Sequence, residues 1–333
     1  MTDATRQRLF GFDSAFDHPA TGILLATVGV MLLVGLVTIL LVVRHLDAER
    51  KKELWQRYVG WLVFVPLVAG SILAGAFWAI LIVALLSILC YREYARATGL
   101  FREKLISFLV IVSILAVQFS VLDNWYLFFV ALFPLAIGGI ASLAVLQDRP
   151  KGYIQRVALG TFAFVLFGSC LGHLGFLAND ANYRPLLIFV LAAVGLNDVG
   201  AFVSGRIVAG PKLCINTSPN KTVSGAIGAL VLSVLFVVLA GRVVFPDTKL
   251  DDWGRLILLG LALSVSCQFG DLMLSSIKRD LGLKDMDVLI PGHGGLLDRF
   301  DSLILVAPVA FHAFNYVIGV GVGQQVRIFT GAR

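Results

Sequence analysis

The sequence predicts an all-α, polytopic integral membrane protein with about ten transmembrane helices. Three observations predict it. Hydrophobic residues make up 58% of the chain and charged residues only 14%, a balance outside that of ordinary water-soluble domains. Apolar runs near the roughly 20 residues that cross a bilayer's hydrocarbon core recur from end to end. Lysine and arginine gather in alternate loops, as they do on the cytoplasmic side of membrane proteins.

Residues 1–20 carry Asp3, Arg6, Arg8, Asp13, Asp17 and His18 without a long apolar core, and read as a short polar tail. A cleaved signal peptide is not expected, because the first apolar run is long enough to span and lacks a small-residue cleavage site. Spans are expected near 21–43, 59–74, 76–92, 105–121, 125–146, 157–178, 185–204, 223–244, 255–275 and 302–322. The basic stretch after the first of them, RHLDAERKKELWQRY, reads as an amphipathic helix on the membrane surface. Residues 1–58 are therefore expected to form a separable tail, extra helix and linker. Residues 59–156 carry almost no mid-membrane charge and are assigned a scaffold role, within which Glu93, between Arg92 and Arg96, is expected to make an interfacial ion pair. Residues 157–333 form the third unit, where charge enters the membrane.

The loops at 44–58, 92–104, 147–156, 205–222 and 276–301 hold most of the 27 basic residues, which sets them in the cytoplasm and both termini outside. Trp55, Trp61, Trp125 and Trp253 fall near span ends, where interfacial belts form. Topology and anionic lipid thus explain the basic surplus without nucleic acid. Cys90, Cys170, Cys214 and Cys267 show neither zinc-site nor disulfide spacing and read as buried small hydrophobes. His173, deep in an apolar span, reads as a structural histidine.

In the seventh span Asn197 and Asp198 interrupt an apolar run, and Asp198, Phe202, Gly205 and Arg206 share a helical face. This is either a buried ion pair tying helices together or a polar groove. The groove is favoured because intramembrane carboxylates usually serve substrate or ion sites. Ser218, Lys221 and Thr222 stand just before the eighth span, where a helix N-terminus attracts phosphate. Asp271, Ser275 and Lys278 fall at i, i+4 and i+7 on one face, with Arg279 beside them. Asp298 and Asp301, flanking Arg299, share a face if the tenth helix begins near them. Between these groups, Pro291, Gly292, His293, Gly294 and Gly295 let the backbone bend tightly against a ligand; His293 is a metal ligand, a general base or a loop hydrogen-bonder. Carboxylates converging with lysines and arginines suit magnesium bridging phosphate oxygens: the acids hold the metal and the cations hold the remaining phosphate charge.

The ordered run Ser275-x-x-Lys278-Arg279, Lys284-Asp285, Pro291-Gly-His-Gly-Gly295 and Asp298-Arg299-x-Asp301 resembles the signature of the phosphatidate cytidylyltransferase family, the CDP-diacylglycerol synthases. The resemblance continues upstream through Lys221-Thr222 and Ser218-Pro219 to Gly205-Arg206, Gly200-Ala201-Phe202 and Asp198, covering roughly the last 180 residues. It implies an integral membrane enzyme of the cell's inner membrane, with its site on the cytoplasmic side, that joins CTP to phosphatidic acid and releases pyrophosphate. It further implies a homodimer, and Asp271 and Asp298 as magnesium-binding carboxylates, with a potassium ion as a possible companion. Lys278, Arg279 and Asp301 are implied at the chemistry. Asp198, Arg206, Ser218, Lys221, Thr222, Ser275, Arg299 and the Pro291 to Gly295 turn are implied against substrate. Val223 and Ser224 depart from the Trp-Glu usual in the family. Two rival functions are a paralogue acting on another membrane lipid phosphate and a transporter. Against the transporter, the charges gather at one edge of the C-terminal half and no inverted repeat is visible.

Overall fold

The computed structural model describes residues 3–42, 47–287, 294–320 and 327–331. Within them ten helical stretches are long and apolar enough to cross a membrane. The elements are α1 (Asp3–Phe10), α2 (Pro19–Val42), α3 (Ala48–Ala74), α4 (Ala76–Ala97), α5 (Lys104–Leu122) and α6 (Tyr126–Ala144). There follow α7 (Tyr153–Ala163), a π-helical segment (Phe164–Cys170) and α8 (Leu171–Leu177), which together make one span, then α9 (Tyr183–Ile207). A hairpin of β1 (Lys212–Cys214) and β2 (Ser218–Thr222) precedes α10 (Val223–Val244), α11 (Trp253–Asp280) and α12 (Leu297–Ile318).

Two readings of the N-terminal region change. The first residues form α1, which packs against α4, and Arg8, only 7% exposed, donates to Ala178 O at 3.2 Å and Asn179 Oδ1 at 2.5 Å. Burial pushes the Arg8 guanidinium down to about 10, so it remains charged at neutral pH. The basic stretch does not form a separate surface helix either. From Ala48 on it belongs to α3, which runs unbroken for 27 residues into the second span.

Both ends of the chain meet the same end of the bundle. Asn179, which receives Arg8, donates to Val121 O at 2.7 Å, and buried Asp123 accepts the Phe329 and Thr330 N–H groups at 2.5 and 3.2 Å. His173 sits among Phe129, Phe311 and His312 with Nδ1 2.7 Å from Ser169 O, the structural role its apolar setting suggests. Three cysteines are buried, whereas Cys214 is half-buried on the hairpin.

At the opposite end, small residues let backbones touch. A Cβ on Gly200 would lie 3.0 Å from Ala229 Cα, one on Gly225 would lie 2.8 Å from Ala201 O, and one on Gly270 would lie 2.8 Å from Asp301 O. These contacts lock α9 to α10 and α11 to α12; α9, α11 and α12 carry the intramembrane carboxylates.

Candidate active site

Asp198 on α9, Asp271 on α11 and Asp301 on α12 lie close enough to repel one another electrostatically, and Lys221, at the end of β2, offsets Asp198. Lys221 Nζ stands 2.6 Å from Asp271 Oδ2, and Ser275 Oγ donates to Asp271 Oδ1 at 3.1 Å. Asp198 is solvent-accessible yet densely surrounded, as a residue lining a cleft must be. Its neighbour Asn197 is buried: Nδ2 donates to Cys267 Sγ at 3.0 Å, while Oδ1 accepts from Ser264 at 2.7 Å and Ser233 at 3.2 Å. A fully satisfied amide of this kind ties α9, α10 and α11 together and holds the acid beside it in place.

One turn along α12 from Asp301, Asp298 belongs to a second group. Lys278 Nζ lies 2.7 Å from Asp298 Oδ1, with the two side chains 11% and 4% exposed. Asp298 Oδ2 accepts the Met286 N–H at 2.8 Å and the Gly295 N–H at 3.0 Å. Gly294 adopts a left-handed φ of 78°, and a Cβ there would approach Asp298 Oδ2 to 3.1 Å. Of the three residues expected on one face, Ser275 joins Asp271, while Lys278 turns to Asp298 and Asp271 takes Lys221 from β2.

The remaining predicted residues are distributed around these two groups. Thr222 caps α10, accepting the Gly225 N–H at 3.1 Å, and Ser224, in the first turn of α10, bonds Thr222 and the Ala209 carbonyl in the loop that follows α9. Arg279 donates from Nε to Thr217 O at 3.3 Å and from Nη1 to Leu283 O at 3.0 Å, joining the end of α11 to the hairpin turn that leads into Ser218. Arg206 does not join Asp198. Its guanidinium lies 4.5 Å over the Phe202 ring on an exposed face. Arg299 is half-buried in the first turn of α12. Pro291, Gly292 and His293 lie outside the described residues.

Glu93 is the residue that sequence reasoning misjudged. It is 1% exposed and accepts the Leu296 N–H on Oε1 and the Leu297 N–H on Oε2, each at 2.8 Å. Arg96 turns to Asp287 instead, at 3.4 Å. No spacing could signal this, because the partners are some two hundred residues apart.

Among the described residues, no three His, Cys, Asp or Glu side chains are gathered tightly enough to hold a metal ion by themselves. That is compatible with magnesium, which keeps several waters and takes one or two protein carboxylates together with substrate phosphate oxygens. The hard oxygens of Asp271, Asp198 and Asp301 fit that donor chemistry, whereas Asp298 would have to release Lys278 or a backbone N–H to offer an oxygen. Beside the site, an apolar cavity of about 200 Å³ is lined by Phe64, Leu86, Leu89, Leu191, Leu296 and Phe300, among others. No charged side chain lines it.

Comparison with known proteins gives this geometry a context. The model of the cytidylyltransferase family matches residues 55–317. YnbB of Escherichia coli K12, described as uncharacterized, is 30% identical over 256 residues, covering 74% of this chain and 83% of that protein. Phosphatidate cytidylyltransferase of Staphylococcus haemolyticus is 38% identical over 139 residues, 42% of this chain and 52% of that one. The Brucella suis biovar 1 protein of the same name is 42% identical over 125 residues, 38% of this chain and 45% of that one. These two matches thus span about half the length of each phosphatidate cytidylyltransferase.

Proposed function

The chain belongs to the cytidylyltransferase family, and on that premise we propose that it transfers a cytidylyl group from CTP to phosphatidate, forming CDP-diacylglycerol and pyrophosphate. The observation that carries the reading is the meeting of α9, the hairpin, α11 and α12 in one charged cleft. There, carboxylates and lysines alternate. Such a cleft suits two anionic substrates, one of which brings acyl chains.

In the proposed reaction an oxygen of the lipid phosphate attacks the α phosphorus of CTP. The new P–O bond forms as the bond to the bridging oxygen breaks, and pyrophosphate carries away the electron pair. A phosphate monoester is already anionic near neutral pH, so positioning and charge neutralisation carry the chemistry. Lys221, Lys278 and Arg279 hold phosphate oxygens, and Ser218, Thr222 and Ser275 supply hydroxyls around them. Asp271 and Asp298 are the proposed magnesium carboxylates, with Asp198 and Asp301 within electrostatic reach of Asp271. Bound magnesium would neutralise charge developing on the leaving pyrophosphate. Phosphate oxygens and carboxylates compete for the same ammonium groups, so substrate entry requires Lys221 and Lys278 to exchange partners. The same reading sets the protein in the cell's inner membrane, with the cleft toward the cytoplasm and a second copy completing a homodimer.

Purified protein given CTP, magnesium and phosphatidate should release pyrophosphate and form a lipid carrying cytidine. Asp271→Asn and Asp298→Asn should each lower that rate by about a hundredfold or more, and chelation of magnesium should abolish it. Full activity in either variant removes that residue from the metal site. A second reading, transfer to a different membrane lipid phosphate, is favoured by the match to YnbB across most of both chains and by Val223 and Ser224, the latter bonding the Ala209 carbonyl, where the resemblance leads one to expect Trp-Glu. Substituting polyprenyl phosphate for phosphatidate in the same assay separates the two.

A further inference from the structure

We propose that Glu93, contributed by the scaffold helix α4, is a positioning residue that fixes the entrance of α12 and through it Asp298 and Lys278. Its kinetic test rests on the cytidylyl-transfer reading.

The first N–H groups of a helix have no partner within it, and α12 enters on Leu296, whose side chain cannot cap. Two carboxylates divide the work. Asp298 Oδ2 takes the Gly295 N–H, and Glu93 takes the next two, those of Leu296 and Leu297. A carboxylate buried this deeply is costly without partners, and here two amides at the positive end of a 22-residue helix supply them. Asp287 and Asp298 are near enough to repel it. Each of those two acids has its own cation, Arg96 for Asp287 and Lys278 for Asp298, so Glu93 is the member of the group held by backbone amides.

Gly295 fits the same explanation. Its backbone needs no left-handed torsion, yet a Cβ there would lie 2.4 Å from Glu93 Oε2 and 3.1 Å from the Asp287 nitrogen. Glycine at this position admits the Glu93 carboxylate. Since the Gly295 N–H is also a ligand of Asp298, displacing Glu93 shifts the amide that orients Asp298, and Asp298 in turn holds Lys278. The register of the site in the C-terminal half is thereby set by a side chain of the scaffold.

Glutamine can accept only one of the two amides while its own NH₂ faces the other. Glu93→Gln should therefore leave KM for CTP within about twofold and lower kcat by about ten- to a hundredfold, the scale expected of a misplaced reacting geometry. In the same protein, amide hydrogen exchange should quicken across residues 294–300 and stay unchanged across 310–318. Gly295→Ala, which keeps Glu93 but drives a methyl group onto its carboxylate, should reproduce both effects. Unchanged kcat and exchange in either folded variant overturns the proposal, as does a raised KM at constant kcat or loss of the fold in both. If the wild-type protein releases no pyrophosphate from CTP with any lipid phosphate, the cytidylyl-transfer reading fails. The exchange measurement then still decides whether Glu93 holds α12.

Discussion

Two ion pairs of nearly equal length have different consequences because their surroundings differ. Lys278 and Asp298 are almost wholly enclosed, whereas the side chains of Lys221 and Asp271 are 24% and 31% exposed. Removing one partner of an enclosed pair leaves an uncompensated charge, at roughly 3–5 kcal/mol, while an open pair contributes about 1 kcal/mol or less. Lys278→Met should therefore lower both the melting temperature in detergent and turnover. Lys221→Met should lower turnover with the melting temperature nearly unchanged. Equal melting shifts would show that burial does not separate the two sites. The faces bearing Asp271, Ser275 and Lys278, and Asp298 and Asp301, were legible because helical spacing is local. The partners of these residues were not, since Lys221 and Glu93 reach them through packing that no local pattern records.

Helices long enough to cross a bilayer declare themselves through twenty or so apolar residues, and all ten expected spans have a helical counterpart. Shorter devices do not. Strands of three and five residues are too brief to show alternation, so the β1–β2 hairpin was unread, and the seven-residue π segment shares the composition of the helix around it. The polar tail was unread as α1 because its anchor, Arg8, bonds a loop 170 residues away. Where α1 hands over to α2, His18 Nδ1 accepts the Ala20 N–H at 3.2 Å, and partial burial lowers its proton affinity from the ordinary value of 6.5. Because the unfolded ring protonates first as pH falls, this contribution is complete above about pH 6.5 and is lost progressively below it. Amide exchange over the first turn of α2 should quicken on going from about pH 7.5 to about pH 5, and His18→Gln should remove that dependence. A pH-insensitive wild-type turn would dissociate His18 from the start of α2.

On the scale of the whole molecule, the ten helices among the described residues that are long and apolar enough to cross a membrane, and the docking of residues near both ends against neighbouring turns, set Arg8 and Thr330 at one end of the bundle and the charged cleft at the other. In sealed vesicles, a membrane-impermeant thiol reagent should label a cysteine introduced at Thr330 from one side only and one introduced at Lys284 from the other, in a protein whose native cysteines are replaced. Labelling of both from the same side would refute ten spans. The pairing of charges across helices has a further consequence during synthesis. Lys221 precedes Asp271 in the chain, and Lys278 precedes Asp298, so each acid emerges from the ribosome after the ammonium group that will receive it. A nascent chain halted just past α11 would carry Asp271 already matched but Lys278 still waiting. Truncation at that point should give a protein that inserts and is then cleared by quality control.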